Sequence, residues 1–315
     1  MDNIKRFDIA VQCLTPRLSD VFQSVGKQEK ENISEIRLRT GKPIVVVCRG
    51  KMKFVSGSGR LTDIYSELNL KTDANEINDI FIRLCGYSVH SFGDAINRGY
   101  ITLSGGHRAG VAGTAVSENG KITAVRDVCC INLRIAREIK GAADEIYGGL
   151  FADGLVSVII AGPPSSGKTT VLRDLARQLS GVERGRMYKT FVCDERCEIG
   201  AGVSGIPQND LGVNCDVISC YPKEEGILIG LRSFSPDIII CDEIASSAEV
   251  FAVETGLNSG VSFVLSVHAK DERELRAKPI VKRLLMSGAF SNVVLLSSVN
   301  AGKTKKIFGA GELIG

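Results

Sequence analysis

The sequence has no tryptophan, and aromatic residues make up only 6% of its 315 positions. Proteins that hold single-stranded nucleic acid stack bases on aromatic side chains, so such a platform is poorly supplied here. Charge of one sign is equally scarce. Against 39 Lys and Arg stand 36 Asp and Glu, a net charge of +3, too small to indicate nucleic acid or acidic lipid as a partner. No apolar run reaches the ~18 residues needed to span a bilayer. The opening stretch MDNIKRFDIAVQCLTPRLSD carries charges throughout and lacks the apolar segment of a signal peptide, so a cytoplasmic protein is expected. Internal repeats and low-complexity tracts are also missing, and no single-strand-binding domain is expected after Gly315.

What is present is an ordinary globular composition, 44% hydrophobic and 24% charged, on a chain long enough for two domains. Ten cysteines without a secretion signal read as reduced thiols. Cys193, Cys197, Cys215 and Cys220 are spaced too loosely for an ordinary four-thiolate zinc site, and Cys193 ends an apolar run where cysteine packs as a small core residue.

The chain changes pattern near residue 150. Before it, ISEIRLRTGKPIVVVCRGKMKFV has short alternating runs broken at Thr40-Gly41-Lys42-Pro43 and Arg49-Gly50, as adjacent antiparallel strands do. NEINDIFIRLC puts Ile77, Ile80, Phe81 and Leu84 on one helical face. GYITLSGGHRAGVAGTAVSENGKITAV returns to strands, with turns at Gly105-Gly106 and Glu118-Asn119-Gly120. An α+β domain over residues 1–150 follows. Beyond it, the apolar runs Val156–Ile160, Thr190–Cys193, Asp237–Cys241 and Ser262–Val267 lack alternation. Helical stretches Lys168–Leu179 and Ala248–Leu257 lie between them. That is the signature of a parallel α/β sheet covered on both faces, over residues 151–315.

Between Val158 and Ala176 the chain reads VIIAGPPSSGKTTVLRDLA. Gly162, Gly167, Lys168 and Thr169 fit the spacing of a phosphate-binding loop, with a strand before and a helix after. Backbone N–H groups must approach a phosphate closely there, and the helix start adds its positive dipole end. Gly162, Pro163, Pro164, Ser165, Ser166, Gly167, Lys168, Thr169 and Thr170 are therefore expected to bind ATP, in a P-loop NTPase core of RecA/AAA-like type. Lys168 would reach the β- and γ-phosphates, and Thr169 would ligate Mg²⁺. SPDIIICDEIA supplies acidic groups at a second strand end: Asp242 for the Mg²⁺ and Glu243 to polarise the attacking water. Asp194 and Glu195 follow a third apolar run and His268 a fourth, and carboxyl ends of parallel strands converge on one crevice.

The order of phosphate loop, acidic box, LRSFSPDIIICDE and His box resembles the secretion-superfamily ATPases of type II and type IV secretion and pilus systems. Leu231-Arg232 and Pro236-Asp237 match their Leu-Arg and Pro-Asp pattern. Longer stretches are similar to the stage III sporulation protein AA family: EIRLRTGKP, GYITLSGGHRAGVAG, INLRIAREIKGAAD, GPPSSGKTTVLRDLAR, DERCEIGA and GIPQNDLGVNCDVISCYPKEEG. The resemblance implies a mother-cell ATPase, recruited to the membrane by protein partners at the channel between mother cell and forespore. It implies catalytic roles for Glu195, Glu243, His268 and Arg232. It also implies hexameric rings in which an N-terminal arginine, Arg108, Arg134 or Arg137, reaches a neighbour's nucleotide. Where the family continues its acidic strand with glycine, this chain has Ala245-Ser246. A nucleic-acid-dependent ATPase is the competing expectation.

Overall fold

The computed structural model describes residues 3–89, 93, 99–118, 121–203 and 205–314. The chain divides into two compact units, Met1–Glu138 and Ile139–Gly315, so the boundary lies before the expected cut at 150. The reason is apolar packing. Ala143, Ile146, Tyr147 and Phe151 belong to the core that holds Val171 and Leu175 of the second unit.

The first unit is a seven-stranded antiparallel sheet in the order β4-β3-β2-β1-β7-β6-β5. Its strands are β1 Ile33–Arg39, β2 Val45–Cys48, β3 Lys51–Val55, β4 Leu61–Thr62, β5 Tyr100–Leu103, β6 His107–Glu118 and β7 Lys121–Arg134. Asn119 and Gly120, where a turn is expected, lie outside the described residues. One face buries Ile36, Leu38, Val46, Ile101, Ala109 and Leu133 against Phe7, Leu18, Phe22 and the predicted apolar stripe of Ala74–Leu84. Side chains alternate across a strand, so the opposite face carries Glu35, Arg37 and Arg39 of β1. Arg134 pairs with Glu35 and Arg108 with Arg134, which puts both on that same face.

The second unit is a seven-stranded sheet in the order β10-β9-β11-β12-β8-β13-β14. Here β8 is Ser157–Gly162, β9 Thr190–Asp194, β10 Cys215–Ser219, β11 Ile238–Cys241, β12 Ser262–His268, β13 Phe290–Leu296 and β14 Thr304–Gly309. All pairings are parallel except β13 with β14. Both faces are covered, which explains the unbroken apolar runs. Ile160, Val192, Ile240 and Val264 pack with Val171, Leu172 and Leu175 of the helix Lys168–Ser180. Ile159, Phe191, Ile239 and Leu265 point the other way, toward Ile227 of the helix Lys223–Ser233 and Val250 and Val253 of the helix Ser247–Asn258. This is the P-loop NTPase type of parallel core. No helix among the described residues is long and apolar enough to cross a membrane.

Candidate active site

The strand order sets the carboxyl ends of β9, β11, β12 and β8 side by side. Cys241 pairs with Cys193, and His268 with Gly162. The residues after these four ends, predicted from separate stretches of sequence, share one edge of the sheet.

After β8 the chain turns through Pro163–Gly167 before the helix begins at Lys168. Gly167 has φ +90°, and a side chain there would meet the Gly302 amide nitrogen at 2.4 Å. That amide donates to the Ser166 carbonyl at 2.7 Å, so the β13–β14 turn braces the loop. A side chain at Gly162 would collide with Ser166 Oγ, a buried oxygen without a hydrogen-bond partner. The Lys168 ammonium is buried and donates to the carbonyls of Gly162 at 2.9 Å and Pro163 at 3.0 Å. Burial pushes its pKa below the usual lysine value, opposed by the charges of Asp242 and Glu243. Side-chain-free approach, an orphaned hydroxyl and a desolvated cation fit a phosphate chain. Thr170 and Gly167 border a cavity of about 180 Å³ that Lys140, Gly141, Gly302 and Lys303 also line.

The acidic turn after β11 is held from several sides. Asp242 Oδ2 accepts from Thr169 Oγ1 at 2.7 Å, and its Oδ1 accepts from Ser266 Oγ. Ser266 Oγ in turn accepts from the Glu243 amide at 2.9 Å. A carboxylate and a hydroxyl in contact are the two protein donors that Mg²⁺ takes when phosphate and water complete its shell. Glu243 has φ +50°, a left-handed conformation that strains a non-glycine residue. Its carboxylate receives Arg196 Nη1 at 2.5 Å. The departure at Ala245-Ser246 has a local explanation. Ser246 caps the helix Ser247–Asn258, and Glu249 closes a capping box while accepting from the amides of Ala245 and Ser246.

Other expected residues divide. Glu195 is at the site, 3.4 Å from Lys223 Nζ. Asp194 lines a small cavity with Glu195, Asp242 and Glu243, but is buried and accepts from the amides of Glu198, Ile199 and Gly200. Burial raises its pKa, against the effect of those bonds. His268 ends β12 with Nδ1 3.7 Å from Glu274 Oε1. Arg232 is not brought to the cluster within this chain. It is exposed, near the end of a helix whose start touches Glu243, about 13 Å further along by helical rise. Arg137 donates to the Ile33 carbonyl, and burial lowers its pKa, so it is engaged by its own unit. Arg108 and Arg134 face each other on β6 and β7. Arg108 also lies over the Tyr100 ring at 5.0 Å. Cys193 is core, Cys215 is pushed up to about 12 by burial, and the Cys197 and Cys220 sulfurs meet at 3.1 Å.

Three residues escaped the sequence reading. Ser266 is a fully buried hydroxyl inside an apolar strand, a polar interruption that was a usable signal. Arg196 is visible only through its contact with Glu243. Lys223 is a buried cation in the first turn of a helix, where the dipole disfavours it.

The sequence matches the family described as "Sporulation stage III, protein AA" over residues 5–312. Stage III sporulation protein AA of Bacillus subtilis (strain 168) is 34% identical over 287 residues, covering 91% of this chain and 89% of that protein. Protein SEEDLING PLASTID DEVELOPMENT 1 of Arabidopsis thaliana is 27% identical over 181 residues, 56% of this chain and 25% of its own length. Among solved structures, the Legionella pneumophila ATPase DotB aligns with TM-score 0.56 at 17% identity, covering 90% of this chain and 76% of that one. The pilus retraction motor PilT with bound ADP aligns with TM-score 0.55 at 15% identity, covering 89% and 76%. At those identities the likeness establishes the fold, which the chain shares with these two proteins. Sequence similarity along nearly its whole length places the chain in the stage III sporulation protein AA family.

Proposed function

We propose that the chain is a Mg²⁺-dependent ATPase whose turnover energises transport or assembly at the sporulation channel complex between mother cell and forespore. The observation that carries this reading is the meeting of Thr169, on the helix after the phosphate loop, with Asp242, next to Glu243 at the end of β11. Amides of residues 165–169 bind the phosphates, and the Lys168 ammonium leaves the loop carbonyls to neutralise them. Thr169 and Asp242 hold Mg²⁺, which when bound screens the phosphate charge. Glu243 accepts the proton of the attacking water once its carboxylate leaves Arg196. Glu195 and His268 border the same edge, and the cavity beside Thr170 receives the nucleoside end.

The arginine face of the first unit supports ring assembly, with six copies as the favoured number. Arg108 and Arg134 stand opposite one another on neighbouring strands of that face, with Glu35 3.9 Å from Arg134. In a ring, one of these arginines would reach a neighbour's triphosphate, a cation in trans that links hydrolysis to subunit motion. The first unit then serves as the docking and oligomerisation module, and protein partners recruit the ring from the mother-cell cytoplasm to the membrane. ATP turnover measured with single-stranded DNA or RNA, and separately with cytosolic segments of the complex's membrane proteins, tests the reading. Stimulation by the segments alone is expected at physiological salt. Strong stimulation by nucleic acid and none by the segments would replace it with a nucleic-acid-dependent ATPase.

A further inference from the structure

Lys223 is 6% exposed, yet it is a lysine in the first turn of a helix that also carries Glu224 and Glu225 there. Burying an ammonium is unfavourable unless its protons are satisfied. Here three acceptors satisfy it: the Glu243 carbonyl at 2.6 Å, Glu249 Oε1 at 3.2 Å and Glu195 Oε2 at 3.4 Å. Two of the three belong to residues at the chemical edge of the sheet, and the third, Glu249, holds the amides of Ala245 and Ser246.

We propose that Lys223 is a positioning residue for hydrolysis: its ammonium fixes the Glu243 turn and the Glu195 carboxylate in working geometry while taking no part in nucleotide binding. The inference rests on the ATPase reading above. Glu243 needs such support because φ +50° is a conformation that persists only where its surroundings over-determine it. Ser266 holds the amide of Glu243 and Lys223 holds its carbonyl, so the peptide groups on both sides of the side chain are fixed. Lys168, by contrast, donates to the carbonyls of Gly162 and Pro163 in the phosphate loop. Loss of Lys223 should therefore move the base and leave the phosphate cradle intact. A purely structural lysine, neutralising Glu249 and nothing more, would not separate the two.

The test uses the full chain with Lys223→Met, Lys223→Arg and the double variant Lys223→Met/Glu249→Gln, which leaves no buried unpaired carboxylate. Affinity for Mg²⁺ with a non-hydrolysable ATP analogue, kcat and KM, and amide exchange at residues 243–246 are measured. The Met variants should lose roughly 100-fold in kcat, as misplacing a reacting group by an ångström does. Nucleotide affinity should stay within about twofold, since 0.4 kcal/mol is the free energy of that ratio. Exchange should quicken at 243–246 and not in the helix Lys168–Ser180, and Lys223→Arg should recover part of the rate. A folded Met variant with wild-type kcat, equal losses in affinity and kcat, or unchanged exchange at the turn would overturn the proposal. Absence of hydrolysis by the wild-type chain would instead contradict the ATPase reading, while the exchange readout still judges the hold of Lys223 on the turn.

Discussion

The Thr169 hydroxyl donates a 2.7 Å hydrogen bond to Asp242 Oδ2, joining two stretches 73 residues apart. A hydroxyl and a carboxylate so placed are the two protein donors proposed above for Mg²⁺. Thr169→Ser keeps the hydroxyl and should bind Mg²⁺ and nucleotide nearly as the wild type does. Thr169→Ala and Asp242→Asn should weaken Mg²⁺-dependent affinity by about 10- to 100-fold, the range for losing groups around a bound metal. Titration of nucleotide with Mg²⁺ and with EDTA checks this; equal affinities in the two conditions for the wild type would contradict the assignment.

Arg196 holds the Glu243 carboxylate at 2.5 Å but is itself 62% exposed in its side chain. Exposed pairs are worth at most about 1 kcal/mol, so releasing the base is cheap. Arg196→Ala should leave kcat within about fivefold of wild type, the rate equivalent of that energy. A loss of several hundredfold would make Arg196 a catalytic cation rather than a resting partner of the base.

Gly167→Ala should be far more damaging than its size suggests. The position has φ +90°, and the new methyl carbon would lie 2.4 Å from the Gly302 nitrogen. The loop must shift, with loss of nucleotide affinity and about 1–3 kcal/mol of stability from the strained backbone alone. Chemical denaturation and analogue titration read the two effects; an alanine variant binding nucleotide at full strength would show that the loop does not need this shape.

His107 sets a pH limit on the first unit. It is fully buried, its Nδ1 accepts from the Ala136 amide at 3.0 Å, and Nε2 has no hydrogen-bond partner. Burial, helped by the Arg6 charge, pushes its pKa down from 6.5 to about 4. The unfolded chain thus binds more protons between these values. Stability from the neutral imidazole is complete above about pH 6.5 and falls as pH drops toward 4, by up to ~3 kcal/mol. Histidine NMR should show one ring that stays neutral at pH 5. Denaturation of His107→Gln should show a shallower loss over the same window; matching slopes would contradict it.

Much of the site was legible because its signals are local. Glycines at fixed spacing between an apolar strand and a helix, and IIICDE after a Pro-Asp, need only a few residues each to be recognised. The unbroken apolar runs likewise announced strands buried on both faces. Arg196 and Lys223 were not legible, because what defines them is contact with Glu243 across 47 and 20 residues. That Arg137 donates to the Ile33 carbonyl was not legible either, since that contact spans 104 residues. The compact units divide at 138/139 rather than near 150 for a similar reason. Nothing in residues 139–151 reveals that Tyr147 and Phe151 pack under the helix after the phosphate loop.

The most direct measurement is phosphate release from Mg²⁺·ATP by the wild type and by Glu243→Gln, with nucleotide affinity measured on both. The wild type should turn over ATP. The Gln variant should bind with affinity within about threefold and hydrolyse some 10²- to 10⁴-fold more slowly, the contribution of a positioned general base. Normal turnover by Glu243→Gln, or a wild-type chain that binds no Mg²⁺·ATP, would contradict the assignment of this sheet edge as an ATPase site.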